Sequence, residues 1–163
     1  HRMKTAYPVK LGDDVNLVSF DQPLTDELIP MWRESFEAGV GIVDPHSLAG
    51  QRQYFLDSVL PHHAVRLALL DGRLVGFVAA SAESVAQLYV RVGWQRRGIG
   101  ARMLDWAKQQ SAGSLWLYTF ARNHGARAFY ARQGFVEVEY GFEPTWQLDD
   151  VRLQWTAPQA AAA

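Results

Sequence analysis

Apolar positions follow two rhythms along the chain, and the switch between them marks out the elements. Val15 to Phe20 is a short run of β-branched and apolar residues and reads as a strand. From Asp26 to about Ala38, Leu28, Met31, Trp32, Ser35 and Phe36 recur at helical spacing, and Pro30 fits the first turn of such a helix. "GVGIVDP" is a loop closed by Pro45. Gln51 to Leu60 reads as a second helix, apolar at Phe55, Leu56, Val59 and Leu60 and stopped by Pro61.

The period then shortens to two. Ala64 to Leu70 and Leu74 to Ala80 are strands joined by Asp71-Gly72, the strongest hairpin signal in the sequence. Ser84 to Val92 is a further strand. A helix from Gly98 to Gln110 follows, with Ile99, Met103, Leu104, Trp106 and Ala107 on its apolar face. Leu115 to Phe120 is a strand. Ala126 to Gln133 is a short helix ended by Gly134 in the place of a left-handed cap. Val136 to Tyr140 and Val151 to Trp155 are the last strands. This order specifies an α/β (α+β) domain with a mixed, partly antiparallel sheet, and no boundary divides residues 1–163.

Composition narrows the function. The chain has 163 residues, enough for one domain with one sizeable core, and 48% of them are apolar. A net charge of −1 gives no pull toward nucleic acid or an anionic membrane. There is no cysteine, which excludes disulfides, thiolate metal sites and cysteine nucleophiles and fits a cytoplasmic protein. No run approaches the roughly 18 apolar residues of a membrane span, and the first residues lack the apolar run expected of a signal peptide. His1 and Arg2 ahead of Met3 look like a cloning remnant reaching to about residue 6. The tail "APQAAAA", residues 157–163, is expected to fray.

One stretch carries chemistry: "GWQRRGIGARMLDWAKQ", Gly93 to Gln109. A strand, a glycine-rich turn and a helix in that order can hold phosphate. The first N–H groups of a helix lack internal partners, aligned peptide dipoles place roughly half a positive charge there, and glycines let an anion approach. Arg96 and Arg97 add charge at the same end, so Arg96 to Ala101 is a candidate pyrophosphate site. The alternative is a loop that Gly98 merely ends, beside solvated arginines. The dinucleotide fingerprint would need glycine where Met103 stands, and the nucleoside-triphosphate loop would need Gly-Lys-Ser/Thr, which is absent.

Gln95-Arg96-Arg97-Gly98-Ile99-Gly100, preceded by Leu88-Tyr89-Val90, closely resembles motif A of the GNAT acetyltransferase superfamily. Asn123, Ala126, Phe129, Tyr130, Gly134 and Phe135 resemble that family's second motif at the expected distance downstream. The resemblance implies a mostly antiparallel sheet with a splayed central strand pair and about four helices. It implies acetyl-CoA as cosubstrate, with the pantetheine arm on the backbone of Leu88, Tyr89 and Val90. The pyrophosphate would rest on Arg96, Arg97, Gly98, Ile99, Gly100 and Ala101. Asn123 would contact the cofactor arm, and Tyr130 would be the general acid for the departing thiolate. An amine of a small molecule or peptide would attack directly in a ternary complex, with no metal, nucleic acid or membrane involved; a homodimer is compatible with the family. The rivals are a non-catalytic acyl-CoA-binding module of the same fold and a nucleotide-binding module.

The general base is open. Where family members carry glutamate, this chain has Ser84 and Tyr118, neither of which is a base near neutral pH. Glu83 is the candidate, with ordered water as its rival, although strand alternation turns it to the opposite face unless a bulge intervenes. Asn123 also suits a helix cap. His62, His63 and His124 read as surface residues, Trp106 and Trp116 as core. Trp32, Phe36 and Tyr54 lie in helices that, by the resemblance, form much of the acceptor pocket.

Overall fold

The hydrophobic rhythm produces a sheet that splits in two. The structure, a computed structural model, describes residues 11–159. Its elements run β1 (Asn16–Ser19), α1 (Thr25–Val40), α2 (Leu48–Tyr54), β2 (Ala64–Leu70), β3 (Arg73–Ala80), β4 (Val85–Val90), α3 (Ile99–Gln110), β5 (Ser114–Phe120), α4 (His124–Arg132), β6 (Val136–Glu143) and β7 (Leu148–Thr156). One sheet has the order β1-β2-β3-β4 and the other β5-β7-β6. Every ladder is antiparallel. The neighbouring edges β4 and β5 meet only at a parallel bridge between Ser84 and Trp116 and then diverge. This is the expected splayed pair.

Alternation along the strands sends side chains into two cores. Val65, Leu67, Leu74 and Phe77 pack with Leu28, Met31 and Trp32 of α1 and with Phe55 and Val59 on one face. Ala68, Val75 and Val78 pack with Ile99, Met103, Leu104 and Ala107 of α3 and with Leu115, Leu117 and Leu153 on the other. Phe77 and Leu104 are wholly buried, and each side chain so placed contributes about 1.5–3 kcal/mol.

Several element ends differ from the sequence reading. α1 starts at Thr25, so Pro30 sits in the second turn and gives up one intrahelical bond, and the helix continues to Val40, where Gly41 at φ 77° caps it in the left-handed region. α2 starts earlier because Ser47 Oγ accepts the Gly50 N–H. Beyond α2 the helix widens over Phe55–Val59 and tightens over Leu60–His62, so Pro61 lies inside the last turn. β4 ends at Val90 rather than Val92, since Arg91 to Trp94 turns with Gly93 at φ 90° and Trp94 N–H on Arg91 O. β6 and β7 are longer than their apolar residues suggest, because ladder bonds continue through polar positions. Trp116 is not core: Leu115 and Leu117 point inward, so Trp116 faces out. The tail reading also changes at its first residue, since Ala157 N–H donates to Gly113 O at 2.7 Å. The proposed N-terminal remnant and residues 160–163 lie outside the described residues.

Candidate active site

The divergence of β4 from β5 leaves backbone groups without a strand partner. Arg91 N–H donates to Val75 O at 2.7 Å, and Val90 stands opposite Gly76. Antiparallel bonding alternates, so Tyr89 bonds to β3 while Leu88 and Val90 turn their N–H and C=O groups into the splay. The Val90 carbonyl is already engaged: Ser35 Oγ of α1 donates to it at 2.8 Å. The expectation for this segment therefore narrows. Tyr89 offers no free backbone, Val90 offers its N–H, and Leu88 offers both groups. Ser35 was visible in sequence as the lone hydroxyl within the apolar stripe of α1, which is the signal that could have found it.

The glycine-rich turn stands next to this edge. Arg96 at φ 62° and Gly98 at φ 82° both adopt left-handed backbone, which costs little only at glycine. Leu11 and Gly12 N–H groups clamp Arg97 O at 2.7 and 3.1 Å and hold the turn in place. The first helical bond of α3 is Arg102 N–H to Gly98 O, so the amides of Ile99, Gly100 and Ala101 have no acceptor among the described residues. Gly100 has a packing reason as well: a Cβ there would meet Phe129 Cζ at 3.2 Å and Val90 Cγ2 at 3.6 Å.

A cleft of about 790 Å³ joins these parts. It is lined by Leu88, Tyr89, Val90, Arg96, Gly98, Gly100, Ala101, Asn123 and Tyr130, along with Ser35 and Gln95. Two residues of the expected set lie elsewhere. Ile99 has its side chain in the core at 1% exposure, and Arg97 stacks its guanidinium on Trp94 at 5.4 Å. Neither residue lines the cleft, although the open Ile99 amide lies at the α3 N-terminus beside it. Asn123 combines two jobs, since its Oδ1 accepts the Ala126 N–H at 3.1 Å to cap α4 while the residue lines the cleft.

Tyr130 packs between Phe129 and Phe135, with ring centroids 5.1 and 5.4 Å away. It is only 7% exposed, and no described residue hydrogen-bonds its hydroxyl. No fully enclosed side-chain polar atom lacks a partner among the described residues, so that hydroxyl reaches the cleft surface. Burial, and then the nearby Tyr89, push the Tyr130 phenol well above its ordinary range. Burial likewise lifts Tyr89 to about 12. Both tyrosines therefore keep their protons at any ordinary pH.

Glu83 is not part of this assembly. It lies at the closed end of the splay, where its carbonyl accepts the Trp116 N–H at 3.0 Å, and it lines neither cavity. Ser84 is buried and bonded to Ser81. His62 and His124 are exposed, and no group of metal-ligating residues occurs among the described residues.

A second cavity of about 380 Å³ shares Tyr89 and Asn123 with the first. Phe36, Val40, Tyr118, Phe120, Glu143 and Asp150 also line it. The sequence reading named Phe36 for the acceptor side but missed Glu143 and Asp150, because it placed both beyond the strands it recognised. Tyr54, by contrast, is an exposed residue packed against Trp32 at 6.4 Å.

Comparison with known proteins gives a consistent picture. The profile of the Acetyltransferase (GNAT) family matches residues 25–135. The peptidyl-lysine N-acetyltransferase YiaC of Escherichia coli K12 is 31% identical over 90 residues, 55% of this chain; the match spans 61% of that relative's length. The apo form of YjaB from Escherichia coli superposes with a TM-score of 0.72 at 17% identity, covering 88% of this chain and 99% of that one. The PaiA N-acetyltransferase of Thermoplasma acidophilum, solved with coenzyme A, gives 0.69 at 17% identity over 87% and 98%. These structural likenesses are of fold. Among the described residues, no helix is long and apolar enough to cross a membrane.

Proposed function

The chain belongs to the GNAT acetyltransferase family, and from that premise we propose that it moves an acetyl group from acetyl-CoA to the amine of a small molecule or peptide by direct attack in a ternary complex. The observation that carries this reading is one cleft bordered at once by the free edge of β4, the open amides of α3 and the unpartnered Tyr130 hydroxyl. The cleft residues suit the cosubstrate: Leu88 and Val90 would pair with its amide-bearing arm as an added strand does, and the α3 N-terminus with Arg96 would hold its pyrophosphate. Acetyl-CoA supplies an activated acyl group as a thioester, whose carbonyl carbon takes the amine and whose sulfur leaves as a thiolate.

Each protein group then has a defined task. Tyr130 Oη donates its proton to the departing sulfur. Its raised pKa keeps that proton in place until it is needed. Asn123 fixes the start of α4 and hence the position of Tyr130 two turns on. The amine reaches the reaction centre from the second cavity, past Tyr89. It must be neutral to attack, and the carboxylates on its route are Glu143 and Asp150 rather than Glu83. A lysine side chain, the acceptor named for YiaC, falls within this class.

The placement of Glu83 outside the cleft favours one rival, a module that binds acyl-CoA without turnover. Thiol release from acetyl-CoA separates the two. Release that depends on added amine, and on which coenzyme A but not ATP competes, supports the transferase. Tight coenzyme A binding with no release for any amine supports the binding module.

A further inference from the structure

The second cavity is built for a charge that the chain itself does not supply. Of its lining residues, Glu143 and Asp150 are the only ionisable carboxyl or basic side chains; no lysine, arginine or histidine joins them. Neither acid forms an ion pair among the described residues. Glu143 Oε2 accepts the Trp146 N–H at 2.6 Å, and this bond holds its carboxyl below the ordinary range, so it stays ionised. The Asp150 carboxyl is pushed up, first by burial and then by Glu143, Glu139 and Asp149. Two carboxylates thus line one small space whose lining holds no counter-charge, and Glu139 and Asp149 add to the negative field at Asp150.

Four aromatic side chains, Phe36, Tyr89, Tyr118 and Phe120, join the two acids in the lining. Phe36 and Phe120 meet edge to face with centroids 6.2 Å apart, and Trp146 packs on them at 5.1 and 6.3 Å. The His46 ring backs Trp146 at 5.2 Å, which ties the α1–α2 loop to the β6–β7 turn beside the cavity. Aromatic faces attract cations and repel anions. The cavity shares Tyr89 and Asn123 with the cofactor cleft, which Tyr130 also lines. Whatever fills it therefore lies at the reacting end of the cofactor cleft.

We propose that this cavity selects a primary ammonium whose neighbouring atoms bear no carboxylate, seated between Asp150, Glu143 and the Phe36–Phe120 wall. The inference rests on the acetyltransferase reading and sharpens its acceptor to aliphatic or arylalkyl amines and lysine side chains. A free α-amino acid is excluded, because its carboxylate would enter the same field two bonds from the amine.

The test is calorimetric titration of the coenzyme A-saturated protein at pH 7 with 2-phenylethylamine and with phenylalanine, which differ by that one carboxylate. The expected result is at least tenfold tighter binding of 2-phenylethylamine. In Asp150→Asn and Glu143→Gln that preference should shrink at least tenfold, with melting temperature and coenzyme A affinity at parent levels. Equal or tighter binding of phenylalanine overturns the inference, as does failure of both amines to bind, or variants that bind 2-phenylethylamine as the parent does. Thiol release from acetyl-CoA is read in parallel. Binding of 2-phenylethylamine without release supports the cavity's selectivity and overturns acetyl transfer alone. Release that is as fast with phenylalanine overturns the selectivity alone.

Discussion

Replacing Gly98 separates backbone strain from anion binding, because the two effects have different signatures. Gly98 holds φ 82° at the entry to α3. Alanine there must take a left-handed conformation at a cost of about 1 kcal/mol, which for a chain of this size is roughly 2–4 °C in Tm. Aspartate carries the same strain but places a carboxylate at the positive end of the helix, which returns about 0.3–1 kcal/mol. The apo Gly98→Asp protein should therefore melt at or slightly above Gly98→Ala and near the parent. Coenzyme A reverses the order. At a coenzyme A concentration of about a hundred times Kd, ligand linkage stabilises the parent by about 2.7 kcal/mol. The aspartate occupies the charge that the pyrophosphate would use. A loss of about 1.4 kcal/mol in binding, tenfold in Kd, would cut the stabilisation at the same concentration to about 1.4 kcal/mol and halve the Tm shift. The assay is thermal melting of parent, Gly98→Ala and Gly98→Asp with and without coenzyme A. If Gly98→Asp shows the parent's full shift, the pyrophosphate does not sit at the α3 N-terminus and the reasoning fails.

Tyr130→Phe should lower kcat by roughly 10²-fold, with melting temperature and coenzyme A affinity nearly unchanged, since the ring keeps its packing on Phe129 and Phe135; parent turnover with chemistry rate-limiting would make Tyr130 a packing residue only. Glu83→Gln should leave turnover at the parent value, because Glu83 lies at the closed end of the splay; a tenfold loss with normal stability would restore it as the base. Acid should loosen the link between α4 and β6. Arg127 grips Glu137 through two bonds of 2.7 and 3.0 Å and, with Tyr140, holds its carboxyl at about 2. A folded pKa below the unfolded value of about 4.3 gives stability that is present above pH 4.3 and is lost as pH falls toward 2. Glu137→Gln should flatten that part of the melting profile, and an unchanged profile would contradict the assignment.

What the sequence revealed depended on how local the cause was. The turn before α3 needs a left-handed residue at Gly98 and a close approach at Gly100, and both needs are written as glycines. Asn123 and Tyr130 sit seven residues apart on a single capped helix, so their spacing survives folding. Long-range relations were not legible in this way. The bond from Ser35 to Val90 joins residues fifty-five apart, and only the odd hydroxyl in an apolar stripe hints at it. Glu143 and Asp150 lie where polar residues obscure the strands, and the ladders of β7 with β6 and β5 bring them to the cavity. Trp116 was misplaced for a simpler reason: a large aromatic suggests burial, whereas the inward Leu115 and Leu117 oblige it to face out.

Where coenzyme A touches the backbone is the central question for this protein. Amide chemical shifts followed by NMR during a titration with coenzyme A measure this residue by residue. The predicted result is that the largest changes fall on Leu88 and Val90 of β4 and on Ile99, Gly100 and Ala101 of α3, with the β3-bonded amide of Tyr89 moving less and Glu83 unmoved. Saturable changes that leave the β4 edge and the α3 N-terminus unperturbed would contradict it.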